Sequence, residues 1–350
     1  MKLQFLIPHY HETAEEVKPL LDSIALQQAV DLSDVGVIIC HDGKEPKGRF
    51  SADRKWKPEE GESPSFCFFT DEDVCGIYDF CAEYPFEIKQ IRQEHKGVSA
   101  ARNACLDAAT ADYVMFCDAD DMFFQMCGLY IIFNEMKTGF NAFNSIFVEE
   151  LQKDGQVIYV NRQMDSTFVH GKVYRREFLT QNGIRWNDSL TIHEDSYFNI
   201  LCQKIAGEVR YCQTPFYLWK WRDASVCRHD PKYILKTYNN MLDSNTALVT
   251  ELLRRGMLTD AQFYCCSMVY DAYFTMNKAE WLNQENQEYR INTEKRFKAY
   301  FDQFHYLFDG VSEDVKSQII VGIKNRFFQE GMFLESVTFA DWIKHVQALA

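Results

Sequence analysis

Tyr113-Val114-Met115-Phe116-Cys117-Asp118-Ala119-Asp120-Asp121 is the stretch that decides how this chain folds. Tyr113–Cys117 form a short, continuous apolar run, the pattern of a strand covered on both faces. The run ends directly on three carboxylates within four residues. Carboxylates so close repel one another, and this costs stability unless a cation or a basic group sits among them. Their oxygens suit Mg2+ or Mn2+, ions that keep several waters and bind one or two carboxylates together with substrate phosphates. A polar loop or a helix cap produces the same tetrapeptide; the apolar strand running straight into it is what favours a site.

The same grammar repeats upstream. Residues 3–7 (LQFLI) read as a buried strand stopped by Pro8. Over residues 13–28, Val17, Leu20, Leu21 and Ile24 recur at helical spacing, with Thr13 as the cap and Glu15 and Glu16 in the first turn. Val35–Cys40 is a second buried strand ending at His41-Asp42-Gly43, and Phe86–Ile91 a third. Val98–Ala109 is Ala-rich and favours helix. Alternation of strand and helix over the first 120 residues predicts an α/β fold, a doubly wound, mostly parallel sheet. Residues 44–66, polar and rich in Lys, Glu, Gly and Pro, read as an exposed insertion.

Downstream the pattern changes. Phe140–Leu151 and Gln156–Gln163 read as strands joined at Lys153-Asp154-Gly155, a hairpin signal. Residues 175–182 and 194–206 read as helices and Val209–Trp219 as a strand. From about Pro231 helical periods dominate. The expected organisation is a catalytic domain over residues 1–230 and a helical extension over 231–350.

Ligands of open α/β sheets bind beyond the carboxyl ends of the strands. Tyr10 and Glu12 follow the first strand, Asp42 the second, and Asp118, Asp120 and Asp121 the fourth, so all are expected in one crevice. Glu194-Asp195 opens a helix just after His193. A carboxylate there could serve as general base toward a hydroxyl, or merely complement the helix dipole. The stretch from Tyr217 to His229 is aromatic and basic. Its Arg222 and Arg228 could hold phosphate oxygens, and His229 could ligate a metal. Arg102-Asn103 opens the Ala-rich helix and is expected to face a nucleotide, or else to make a surface ion pair of little worth.

Bulk properties narrow the field. With 51 acidic and 37 basic residues the net charge is -14, which disfavours nucleic acid as the main partner. The one local candidate for such a patch is Lys44, Lys47, Arg49, Arg54, Lys55 and Lys57. The 12 cysteines are scattered without a CxxC pair, which points to a reducing, cytoplasmic setting. No apolar run approaches the roughly 20 residues of a membrane span, and peripheral membrane contact stays open.

Gly97-Val98-Ser99-Ala100-Ala101-Arg102-Asn103, followed by YVMFCDADD, resembles the inverting family 2 glycosyltransferases of the GT-A fold. Ile7-Pro8-His9-Tyr10, Ser23 and Gln27, Ile38–Gly43, His170–Leu179 and Glu194–Phe198 add matches in order, over roughly residues 3–230. The resemblance implies that Pro8 and Tyr10 line a base pocket and that Asp42 accepts from the base, typically uracil. It places Arg102 near the nucleotide, Asp118 at the ribose or metal, and Asp120 on Mn2+ or Mg2+ against the diphosphate. Asp195 would be the catalytic base and Glu194 its companion; Lys172 and Arg222–His229 would face phosphates or acceptor. The implied enzyme is a hexosyl- or N-acetylhexosaminyltransferase using a UDP-sugar, acting non-processively on a glycan or glycolipid precursor. The helical extension would serve acceptor, membrane or homo-oligomer contacts. His11-Glu12 departs from the Asn often found soon after the first Tyr, and the insertion after Gly43 departs from the usual Ser, Asp or Thr. Two rivals are a non-catalytic nucleotide-sugar-binding scaffold and a sugar nucleotidyltransferase. The latter usually has a Gly-rich phosphate loop where this chain reads Pro8-His9-Tyr10-His11-Glu12.

Overall fold

The computed structural model describes residues 1–43, 49–50, 56–57, 84–163, 165–222, 232–329 and 337–349. It divides into two compact units, Met1–Asp223 and Ala224–Ala350.

The first unit is built on a nine-stranded sheet. Its strands are β1 (Leu3–His9), β2 (Val35–Asp42), β3 (Glu87–Gln93), β4 (Tyr113–Phe116), β5 (Met122–Phe123), β6 (Ala142–Lys153), β7 (Gln156–Arg162), β8 (Lys172–Arg175) and β9 (Val209–Trp219). They run in the order β3-β2-β1-β4-β8-β6-β9-β5, with β7 hairpinned onto β6. The four strands β3, β2, β1 and β4 are all parallel, as the alternating pattern predicts. β8 then enters antiparallel to both β4 and β6, and β9 returns parallel to β6.

Helix α1 (Ala14–Ala25) is capped by Thr13 as expected, and the structure makes the cap reciprocal: Thr13 accepts from the Glu16 amide, and Glu16 accepts from the Thr13 amide. Its buried Val17, Leu20, Leu21 and Ile24 join Phe5, Ile7 and Phe123 in the core, each side chain contributing roughly 1.5–3 kcal/mol. Helix α2 (Val98–Ala108) buries Ala100, Ala101 and Cys105. Helices α3 (Gly128–Met136), α4 (Arg176–Gln181) and α5 (Glu194–Ala206) complete the layers.

Pro8 does not stop β1, which pairs with β2 through His9. Pairing with β4 ends at Leu6, so Pro8 stands where one neighbour is already gone and its missing N–H leaves no central ladder broken. Strand β8 and helix α3 are additions to the expected elements. With four residues, Lys172-Val173-Tyr174-Arg175 is too short to show a period, and its central position comes from tertiary pairing. The hairpin signal holds: Asp154 and Gly155 both have positive φ, 51° and 75°, as a two-residue turn requires.

The second unit is helical: α6 (Tyr233–Arg254), α7 (Leu258–Met276), α8 (Ala279–Leu282), α9 (Gln287–Asp309), α10 (Glu313–Gln329) and α11 (Phe339–Gln347). Trp281, Phe297 and Trp342 are almost wholly buried within it, and the Phe297 and Trp342 rings lie 5.0 Å apart. Among the described residues no helix is long and apolar enough to cross a membrane, and the described cysteines are free thiols.

Gly171 lies where β8 begins, with φ +67°, and a Cβ there would stand 2.5 Å from Ser145 Oγ. Gly171→Ala combines left-handed strain with overpacking and is expected to destabilise by about 2–4 kcal/mol. Urea denaturation checks this; an unchanged midpoint would contradict the reading.

Candidate active site

The site is organised around the end of β4. Asp121 is fully buried. It accepts from the Tyr217 hydroxyl at 2.7 Å and from the Lys220 amide at 3.0 Å. His170 Nδ1 is buried without a hydrogen-bond partner and lies 3.4 Å from Asp121 Oδ2. An aromatic box of Phe168, Tyr217 and Trp219 fixes the His170 ring, with the Trp219 centroid 4.9 Å away. Burial and the neighbouring carboxylates Asp121 and Asp118 push Asp120 up to about 7, against the pull of Arg222. Asp118 goes the other way: burial opposes its charge, but Arg102, His170 and Arg222 outweigh that and hold it below the usual carboxylate range.

Arg102 links this cluster to the second acidic pair. Its guanidinium is 4% exposed and lies over the Trp186 ring at 4.4 Å. It donates to Asp118 Oδ1 and to Glu194 Oε1, each at 2.9 Å. The Arg102 expected at the nucleotide or in a weak surface pair is thus a buried crosslink between the end of β4 and the start of α5. Its neighbour Asn103 donates to the Trp186 carbonyl at 2.9 Å and to Asp188 at 2.8 Å, and accepts from the Trp186 amide at 3.0 Å. The Arg-Asn pair therefore fixes both the charge and the loop that leads into α5.

At that helix start His193 is left-handed, with φ 63°, an uncommon backbone for a non-glycine residue. The turn presents Glu194 and Asp195 in succession. Burial, then the adjacent Glu194 charge, raises Asp195 to about 7; Arg102 and the Ser196 amide, which donates to Oδ1 at 2.8 Å, pull in the other direction. A carboxylate that titrates near neutrality is suited to taking a proton from a hydroxyl.

The β1 and β2 ends form the other wall. Tyr10 is stacked on His95, with ring centroids 4.3 Å apart, and Pro8 is half-buried in β1 beside it. Asp42, the expected base acceptor, is 3% exposed. Its carboxylate accepts from Gln93 Nε2 and the Lys96 amide at 2.8 Å and from the Gly97 amide at 2.9 Å, and pairs with His95 at 2.9 Å. These contacts use the acceptor capacity of a carboxylate, so in this structure Asp42 organises the loop before α2. Glu12 Oε1 and Asp120 Oδ2 each stand 3.2 Å from Arg222 Nη1. Lys172, expected toward phosphates, is buried. Its ammonium donates to the Phe168 carbonyl and lies 3.7 Å from Asp165, and burial lowers it to about 8. Arg228, His229 and most of the 44–66 insertion lie outside the described residues.

The donor set fits a divalent cation. Ligand atoms of Asp118, Asp121 and His170 lie within 4.8 Å of one another, and crowded carboxylates beside a buried ring nitrogen held only by a 3.4 Å ion pair are what such an ion would satisfy. Asp118 belongs to the expected metal set. Asp120, also expected there, pairs with Arg222. His170 was missed because it stands some fifty residues from the acids in sequence, and only β8 beside β4 brings it back. Tyr217 and Trp219 were visible as an aromatic stretch without an assigned partner.

Residues 70–201 match the family described as glycosyl transferase family 2. The chain is 22% identical over 185 residues to EpsH of Bacillus subtilis (strain 168), a candidate glycosyltransferase, covering 47% of this chain and 53% of that protein. It is 25% identical over 200 residues to glycosyltransferase GlyA of Streptococcus pneumoniae, covering 50% of this chain and 28% of that one. The chain thus spans about half or less of these relatives. The fold is similar to that of residues 1–349 of Staphylococcus aureus TarS in complex with UDP-GlcNAc. There the TM-score is 0.60 at 14% identity, over 95% of this chain and 92% of that one. A longer TarS structure gives a TM-score of 0.58 at 15% identity, over 90% of this chain and 50% of that one. Residues 70–201 are thus similar to the family 2 glycosyltransferases, and they sit on a sheet whose fold is similar to that of TarS.

Proposed function

We propose that the first unit is an inverting, metal-dependent glycosyltransferase that moves a sugar from a UDP-sugar to an acceptor hydroxyl, one or a few residues at a time. The observation that carries this reading is the Arg102 crosslink: one guanidinium joins Asp118 to Glu194, so the β4 acids and Asp195 serve a single pocket. The UDP-GlcNAc complex of TarS, a protein of like fold, supports uridine diphosphate and a hexosyl or N-acetylhexosaminyl group as the donor.

Asp118, Asp120, Asp121 and His170 are the residues that would hold Mn2+ or Mg2+, with His229 a further ligand in the sequence reading. The chemistry such an ion supplies when bound is neutralisation of the diphosphate's growing charge. Tyr10 offers an aromatic face to the base, with Pro8 beside it, and Asp42 acts through the loop it holds. Arg222 and Arg228 serve the phosphates. Lys172 supports the 165–168 loop through Phe168 and Asp165. Asp195, ionised, takes the acceptor proton while the hydroxyl attacks the anomeric carbon from the face opposite the leaving group, so one displacement inverts configuration. Glu194 holds Arg102 and keeps Asp195 basic. A glycan or glycolipid precursor in the cytoplasm is the proposed acceptor class, with the second unit serving acceptor, oligomer or membrane contact.

The test is turnover of UDP-sugars with Mn2+, with and without added acceptors, and the anomeric proton coupling of the product. Transfer with inverted configuration is expected, and it should be lost in chelator. A retained configuration, or turnover indifferent to chelator, would overturn the mechanism. No turnover with any UDP-sugar, despite tight UDP binding, would favour the scaffold reading. Asp120→Ala is expected to weaken Mn2+-dependent UDP binding at least tenfold, read by calorimetry; unchanged binding would remove Asp120 from the metal set.

A further inference from the structure

Arg222 occupies a prepared seat. Its Nη1 lies 3.2 Å from Glu12 Oε1, 3.2 Å from Asp120 Oδ2 and 3.9 Å from Glu16 Oε1. Both glutamates are held by other bonds. Glu12 accepts the Tyr10 amide on Oε2 at 2.9 Å, and its carbonyl is 2.7 Å from His9 Nε2. Glu16 accepts the Thr13 amide on Oε2 at 2.7 Å as half of the α1 capping box. Each therefore turns its other oxygen toward the arginine. Glu12 from the β1–α1 turn, Glu16 from the first turn of α1 and Asp120 from the acid cluster thus share a single guanidinium.

Resting on the metal-dependent reading above, we propose that Arg222 is a movable counter-ion that makes metal and donor binding depend on each other. A divalent cation drawn to Asp120 would stand beside the guanidinium already paired with it, and like charges at such range repel strongly in a partly buried site. The cation and Arg222 therefore compete for one carboxylate. A diphosphate changes the balance, because its oxygens offer the guanidinium a two-pronged partner at least as good as the glutamates. Arg222 then leaves Asp120 to the metal and follows the phosphates. Metal alone binds weakly, diphosphate alone binds weakly, and each raises the other's affinity by one common factor, as linkage demands.

The experiment uses the full chain and the electron paramagnetic resonance signal of free Mn2+, titrated with and without UDP. For the native protein UDP is expected to tighten Mn2+ binding at least tenfold. Arg222→Gln is expected to bind Mn2+ alone several-fold to tenfold more tightly, and its gain from UDP should shrink toward one. Arg222→Lys keeps the charge but has a shorter stem and lacks the fork that grips a diphosphate, so its gain from UDP should shrink as in Arg222→Gln. If Arg222→Gln and native protein bind Mn2+ alone equally, while UDP still promotes uptake by the native protein, the counter-ion role is overturned and the metal-dependent reading stands. If Arg222→Lys matches the native protein, net charge alone is responsible and the specific seat is refuted. If UDP never promotes Mn2+ binding to the native protein, the metal-dependent reading falls, and this proposal falls with it.

Discussion

Asp195→Asn is expected to lower kcat by roughly 10²–10⁴-fold, the usual worth of a general base, while UDP-sugar affinity stays within about twofold. The asparagine keeps the shape and loses the ability to take a proton. Burial and Glu194 hold Asp195 near 7, so transfer by the native enzyme should rise with pH and level off above about that value. Residual turnover of the variant should lack this limb. The same shift has a stability consequence of definite sign. A carboxyl whose pKa is raised on folding contributes stability below its unfolded value, and that contribution is lost as pH rises through the folded one. Ionised Asp195 therefore destabilises the native protein at pH 8. Asp195→Asn should melt higher there, by on the order of 1 kcal/mol, with the difference closing toward pH 4. A variant that transfers normally would remove Asp195 from the chemistry.

Arg102→Met is expected to cost roughly 3–5 kcal/mol of stability and to abolish transfer. The guanidinium is buried between Asp118 and Glu194, and methionine keeps the packing on Trp186 while leaving two carboxylates without their cation. Glu194→Gln in that background removes one of the stranded charges and should recover part of the loss. Urea denaturation of the two variants provides the measurement. A midpoint for Arg102→Met close to native would show that Arg102 bridges nothing of consequence. No recovery in the double variant would show that the cost lies elsewhere.

The parallel half of the sheet was legible because three of its four strands end in a chemical signal. Ile7 runs to Tyr10, Cys40 to Asp42, and Cys117 to Asp118, and Thr13 was readable as the α1 cap. The antiparallel half was legible only in its long strands. β8 is too short to carry a period, yet it stands between β4 and β6 and delivers His170 to the acids. His229, read as a residue that could ligate a metal, lies outside the described residues, whereas His170 reaches Asp121 through a fold contact of long range. Asp42 and Arg102 were recognised as positions of weight, but their work in this structure is architectural. Asp42 holds four donors of the loop before α2, and Arg102 clamps α5. A single sequence marks which polar residues gather at strand ends; hydrogen-bond partners are decided by loops whose paths carry no periodicity.

In the proposed mechanism the carboxylates beyond β4 and a divalent cation together hold a nucleoside diphosphate. Calorimetric titration of UDP into the full chain, first with Mn2+ and then with chelator in its place, tests it most directly. The account predicts a single site seen with Mn2+ and at least tenfold weaker binding in chelator. Equal affinity under both conditions, or no UDP binding with Mn2+ present, would contradict it.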